Sequence, residues 1–234
     1  MLTPLSRRRF LKSSGPGAAA ITGPAGGAAL AGQLGNRAAA TPQEALELLM
    51  AGNRRWVAGR ARHPRQSVAR RDALSHTQHP FATVFSCIDS RVPPELVFDR
   101  GLGDLAVIRT GAQVLDQGVV FGSIELTPDH LGTPLILVMG HQRCGAVVAA
   151  IHTIESGGHA PGHIQAIVDA LRPAYDVAIH QPGDLVDNMV RAQTKLAVES
   201  VKNDPLIRKF MAKGELGVAG GYYSLDTGAV SITA

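Results

Sequence analysis

The sequence predicts an α/β fold: a mostly parallel central β-sheet flanked by helices, with an N-terminal helical arm and an antiparallel edge. Three observations carry this. Short apolar runs, "FATVFS" (81–86), "LAVIR" (105–109) and "PLILVM" (134–139), alternate with helical patterns, the order that builds parallel strands joined by crossover helices. The third run is continuously apolar, as strands covered on both faces are. The tail "LGVAGGYYSLDTGAVSIT" reads as two strands around an Asp-Thr-Gly turn, which supplies the antiparallel edge.

Taken in order, "TPQEALELLMAGNRRWV" (41–57) opens with Thr41, Pro42 and Glu44 in the positions of an N-cap, a first helical residue and a capping-box acid. Leu46, Leu49, Met50 and Val57 then recur at helical spacing. Seven arginines follow between Arg54 and Arg71 with no acid among them, so residues 41–75 form either a solvated arm or a segment packed against a second subunit. "PPELVFD" (93–99) is a short helix with prolines at its start, and residues 116–131 are helical with a fault at Pro128. Further helices are expected near 145–156, 163–180, 184–203 and 205–212.

With 234 residues, 45% hydrophobic and 18% charged, the chain can bury one good core. The formal charge of +4 suggests an anionic partner until the charges are located. Residues 1–40 hold Arg7, Arg8, Arg9, Lys12 and Arg37 and no acid, a contribution of +5 that leaves residues 41–234 at −1. The case for nucleic acid therefore falls away. A basic start, a small-residue middle and an Ala-Ala-Ala end at 38–40 make residues 1–40 an export signal or a low-complexity tail, ahead of a single domain over 41–234. Ser6-Arg7-Arg8-Arg9-Phe10-Leu11-Lys12 resembles a twin-arginine export signal, so the protein is expected outside the cytoplasm. No run is apolar enough to span a bilayer.

Export would ordinarily suggest a disulfide between the two cysteines, Cys87 and Cys144. Their surroundings suggest a metal instead. In "GHQRCG", His141 and Cys144 are three apart, so one turn can aim both at one ion, just past the third strand. Cys87 and Asp89 lie just past the first strand, and ligand sites of open α/β sheets lie beyond the carboxyl ends of strands. Two thiolates and an imidazole suit zinc with a fourth position free. Asp89 can accept a hydrogen bond from a water in that position or take the position itself, and Arg91 can grip Asp89 in a fork.

At these residues the chain resembles the β-class carbonic anhydrases. The resemblance runs from about Asn53 to the C-terminus, most closely over "CIDSRVPPELVFDRGLGDLAVIRT", "GSIE", "LGTPLILVMGHQRCGAV" and "GGYYSLDTGAV". It implies one Zn²⁺ per subunit on Cys87, His141 and Cys144, a catalytic pair Asp89–Arg91, and reversible hydration of carbon dioxide to bicarbonate. It implies substrate contacts from Gln78 and from the backbone N–H of Gly145, and a homo-oligomer, dimer or tetramer, in which the arm wraps the partner. Family members that place the aspartate on zinc tend to carry tryptophan three residues before the first cysteine. Here Val84 stands there, which favours Asp89 on Arg91. His76 and His79 are candidates for carrying the released proton. Three positions depart from the family pattern: Ala106 in place of an aromatic residue, Gly111-Ala112-Gln113 in place of Ala-Gly-Asn, and Pro128 in a helix usually whole. Two other functions fit the same scaffold: a non-catalytic module stabilised by zinc, and hydrolysis of a sulfur analogue of carbon dioxide.

Overall fold

The computed structural model describes Ala39, residues 41–116 and residues 118–233; the export signal read in residues 1–40 lies outside them, Ala39 apart. Along the chain run α1 (Pro42–Val57), α2 (Val68–Ala73), β1 (Ala82–Cys87), α3 (Pro94–Val97), β2 (Leu105–Thr110), a 3₁₀ turn (Gly111–Gln113), α4 (Val119–His130), β3 (Leu135–His141), α5 (Gly145–Glu155), α6 (Ile164–Ala178), α7 (Leu185–Asn203), α8 (Pro205–Ala212), β4 (Gly217–Tyr223) and β5 (Val230–Ile232).

The sheet order is β2-β1-β3-β4-β5. The first four strands are parallel and β5 is antiparallel to β4, as the alternation of strand and helix predicts. β1 and β3 are buried along their whole length because each lies between two strands with packed layers on both faces. Leu135, Leu137 and Met139 pack with residues of α1, α5, α6 and α7. Ile136 and Val138 point the other way, into a second cluster with Ile124 of α4, Val198 and Val201 of α7, and Ile207 and Phe210 of α8.

α1 starts as its capping residues require: the Thr41 side chain accepts the Glu44 N–H at 3.2 Å. Its buried face differs from the one expected. Ala45, Leu49, Gly52 and Asn53 are buried, whereas Val57 is exposed. Gly52 and Asn53 are inside because the backbone of Phe98 lies against the helix there; a Cβ on Gly52 would stand 1.7 Å from the Phe98 carbonyl oxygen.

Arg54, Arg60, Arg62 and Arg71 of the arginine-rich arm are exposed, whereas Arg55, Arg65 and Arg70 tie it to the residues after β1. Asp99, with a side chain 0% exposed, accepts from Arg55 Nε at 2.5 Å and from the amides of Arg62 and His63 at 3.0 and 2.9 Å. Arg65 pairs with the buried Asp104, and Arg70 Nε reaches the Leu102 carbonyl at 3.1 Å. The acids that pair with Arg55 and Arg65 lie some forty residues further along, beyond any local charge pattern.

The helix expected over 116–131 begins at Val119, because the Asp116 carboxylate accepts the N–H groups of Gly118 and Val120 and makes 116 a turn residue. Pro128 does not break it. The amide that proline lacks would have bonded to the Ile124 carbonyl; the Thr127 hydroxyl donates to that carbonyl instead, at 2.8 Å, and accepts from Thr83 of β1 at 2.8 Å. The helix therefore runs on to His130.

Candidate metal centre

β1 and β3 are adjacent and parallel, so their carboxyl ends lie at the same edge of the sheet. Cys87 ends β1, His141 ends β3, and Cys144 follows as the N-cap of α5. Their Sγ, Sγ and imidazole nitrogen donor atoms all lie within 4.8 Å of one another, and all three residues are buried. Both cysteines are free, with sulfurs 3.8 Å apart. Two sulfurs each ~2.3 Å from one tetrahedral ion would stand about 3.8 Å apart, so the pair has the separation of two ligands.

His141 gives the second test of fit. Its Nδ1 lies 3.0 Å from the Gln142 carbonyl oxygen, which can only accept, so Nδ1 carries the proton. Nε2 then presents a lone pair, yet it is buried and has no hydrogen-bond partner. A buried acceptor of this kind beside two thiols is what a metal ligand requires, and the Nδ1–H bond to a carbonyl sets ring orientation in the usual way.

The thiols differ electrostatically. Cys87 is lowered to about 4, first by the hydrogen bond from Cys144 and then by the Ala112 N–H, against the opposing effect of burial. The Ala112 N–H lies 3.3 Å from its sulfur. Cys144 is pushed up, by the neighbouring sulfur and by burial. The pair thus holds one proton between two sulfurs.

Asp89 sits at the rim, 15% exposed, with Oδ2 3.9 Å from His141 Nε2. Arg91 holds it in a fork: Nε to Oδ1 at 2.9 Å and Nη2 to Oδ2 at 2.7 Å, with the Arg91 amide on Oδ1 at 2.9 Å. These bonds lower the Asp89 carboxyl to about 2.

The structure adds residues that the motif does not contain. Arg109 of β2 donates to the carbonyls of Cys87 and Asp89, at 2.7 and 2.5 Å, so one guanidinium spans the backbone between the two side chains. Its placement follows from the parallel register, in which Ser86 stands opposite Arg109. Ala112 donates to Cys87 from a left-handed conformation, φ 51 and ψ 34, and Gln113 follows at φ 44. Glycine and asparagine, which the family pattern places there, adopt this region most readily; alanine does so at a cost of about 1–2 kcal/mol. The exchange of Ala for Gly at 111 has a packing reason, since a Cβ there would stand 3.0 Å from Ile167 Cδ1.

Of the other expected residues, Gly145 is the first residue of α5, and a Cβ on it would meet nothing within 4 Å. Gln78 is exposed on the segment before β1, and no hydrogen bond joins it to the three ligands. His76 and His79 are exposed as well; His79 Nε2 lies 3.1 Å from the Thr77 hydroxyl. Ala106 stands half-buried on β2 opposite Thr83.

A buried dithiol–imidazole set at adjacent strand ends, overlooked by an arginine-held carboxylate, defines a mononuclear metal centre of the zinc type on an open α/β sheet. The carbonic anhydrase family profile matches residues 82–230. Carbonic anhydrase 2 of Mycobacterium tuberculosis is 39% identical over 188 residues, 80% of this chain and 90% of that protein. The carbonic anhydrase of Mycolicibacterium smegmatis is 36% identical over 192 residues, covering 82% and 93%. Among solved structures, a Coccomyxa β-carbonic anhydrase in complex with acetazolamide aligns with a TM-score of 0.62 at 26% identity, over 80% of this chain and 85% of that one. A tetrameric β-carbonic anhydrase from Sordaria macrospora shares the fold at a TM-score of 0.64 and 21% identity, over 81% and 96%. The chain belongs to the carbonic anhydrase family, in its β class.

Proposed function

We propose that the protein catalyses the reversible hydration of carbon dioxide to bicarbonate and a proton, with one zinc ion per subunit on Cys87, His141 and Cys144. The observation that carries this reading is the buried, partnerless Nε2 of His141 facing two free thiols. When bound, the ion supplies the positive charge that acidifies a water and stabilises charge developing on substrate oxygen. Two thiolates would cancel that charge, so the site depends on its carboxylate for orientation. Asp89, ionised throughout the neutral range, accepts a hydrogen bond from the attacking water and aligns it. Arg91 fixes the direction of that acceptor and keeps Asp89 off the metal, in agreement with Val84 at the position of the family's tryptophan. At the first helical position of α5, Gly145 has no side chain to obstruct its N–H, which can donate to bicarbonate oxygen. The assignment of Gln78 to substrate rests on the family resemblance.

The test is stopped-flow carbon dioxide hydration by protein analysed for zinc, beside Asp89→Ala. The variant is expected to retain its metal through three ligands and to lose about 100-fold or more in turnover. Loss of the metal from Asp89→Ala, or zinc-loaded wild type without hydration activity, would favour the non-catalytic module. Preferential turnover of a sulfur analogue in the same assay would change the substrate while leaving the chemistry intact.

The same reading includes a homo-oligomer, dimer or tetramer, supported by the tetramer of the Sordaria relative, and delivery outside the cytoplasm by the twin-arginine route, supported by Arg7-Arg8-Arg9-Phe10-Leu11-Lys12. Sedimentation of the purified protein and fractionation of cells with and without an Arg7→Lys/Arg8→Lys/Arg9→Lys change test the two.

A further inference from the structure

Between the ligands His141 and Cys144 lie two residues whose side chains the catalytic reading leaves unused, Gln142 and Arg143. Arg143 is held at φ 51, a left-handed conformation that an arginine adopts only under constraint. Its carbonyl oxygen, turned by that conformation, accepts from Arg91 Nη2 at 3.2 Å, from the same nitrogen that holds Asp89. The backbone of one residue therefore serves both the ligand Cys144 and the fork on Asp89.

The constraint comes from the turn joining β4 and β5. The Asp226 carboxylate accepts from Arg143 Nη2 at 2.6 Å and Nη1 at 3.1 Å, and from Gln142 Nε2 at 2.8 Å. The Gln142 side-chain oxygen accepts in return from the Asp226 amide at 3.2 Å and the Ser224 hydroxyl at 3.4 Å, and the Gln142 amide donates to the Tyr223 carbonyl at 2.9 Å. The turn is itself anchored, since Asn53 of α1 donates to the Gly228 carbonyl at 2.8 Å and accepts the Val230 amide at 2.9 Å.

We propose that Asp226 is a positioning residue for the metal centre: through Gln142 and Arg143 it holds the His141–Cys144 turn in the one conformation that aims both ligands inward and the Arg143 carbonyl at Arg91. The Arg143 and Asp226 side chains are 54% and 57% exposed, and ion pairs that open to water contribute little to global stability. Geometry at the metal and stability of the fold should therefore separate. The proposal rests on the metal site assigned above.

The test loads wild type, Asp226→Ala, Arg143→Ala and the double variant with Co²⁺ and records the visible spectrum, the rate at which a chelator strips the ion, and the melting temperature. Each single variant is expected to shift the cobalt bands and to lose metal about tenfold faster, the lower end for residues that support ligands from behind, at an almost unchanged melting temperature. The double variant should match Asp226→Ala, because that change already releases both Arg143 and Gln142. Spectra and stripping rates equal to wild type, or effects that simply add in the double variant, would overturn the brace. A wild type that takes up no cobalt would overturn the metal site together with it.

Discussion

Metal uptake at pH 6.5 should release one proton per ion from the thiol pair. Free Cys87 is already a thiolate at that pH, since the Cys144 S–H and the Ala112 N–H lower it to about 4. Cys144, pushed up by its neighbour and by burial, still carries its proton and must give it up to bind. His141 would bind through Nε2, since its Nδ1 is bonded to the Gln142 carbonyl. One proton released means that zinc affinity rises about tenfold per pH unit, or about 1.4 kcal/mol, between pH 5.5 and 7.5. A dithiolate site acidifies water weakly, which keeps that second source of protons out of the count at pH 6.5. Calorimetric titration of metal-free protein with zinc, in buffers of different ionisation enthalpy, gives the number directly. No proton released would refute Cys144 as a ligand that arrives protonated.

Three further outcomes follow from contacts described above. Wild-type hydration should rise from pH 6 to pH 9 with no limb from Asp89, which is ionised at every pH above its lowered value of about 2; in Arg91→Gln the carboxyl returns toward its ordinary range and turnover falls. A stopped-flow profile flat across that interval would contradict the charge-neutral site. Asp99→Asn turns an amide toward donors that now share a buried carboxylate, and about 3 kcal/mol of stability should go with it, a fall in melting temperature of roughly 6–12 °C by calorimetry. Thr127→Val leaves the Ile124 carbonyl and the Thr83 hydroxyl without partners, so the urea midpoint should drop by the equivalent of about 1–3 kcal/mol; an unchanged midpoint would show that Pro128 needs no such compensation.

The ligand set was legible in the sequence because its spacing is local. His141 and Cys144 share one turn, and Cys87 ends an apolar run that could only be a buried strand. The Asp89–Arg91 fork was legible for the same reason, two residues apart on one extended segment. The brace from Asp226 was not. "SLDTG" reads as a turn, and nothing in it indicates that its carboxylate reaches Arg143, 83 positions earlier. Arg109 was hidden likewise, since its role depends on which strand lies beside β1. The arm shows the limit from the other side: Arg55 and Arg65 look solvated until folding brings Asp99 and Asp104 beside them.

By itself, the sequence determined the class of fold, the start of α1, the antiparallel tail and the three atoms that can hold zinc, because strand period, capping and ligand spacing act over a few residues. The tertiary structure alone decided which nitrogen of His141 is free of a hydrogen bond, how close the two sulfurs lie, how a left-handed Ala112 and Arg143 are held, and how a helix survives Pro128. Each of these is a matter of satisfying a buried donor, acceptor or charge with a partner that lies far along the chain or in a neighbouring turn, and only packing selects that partner.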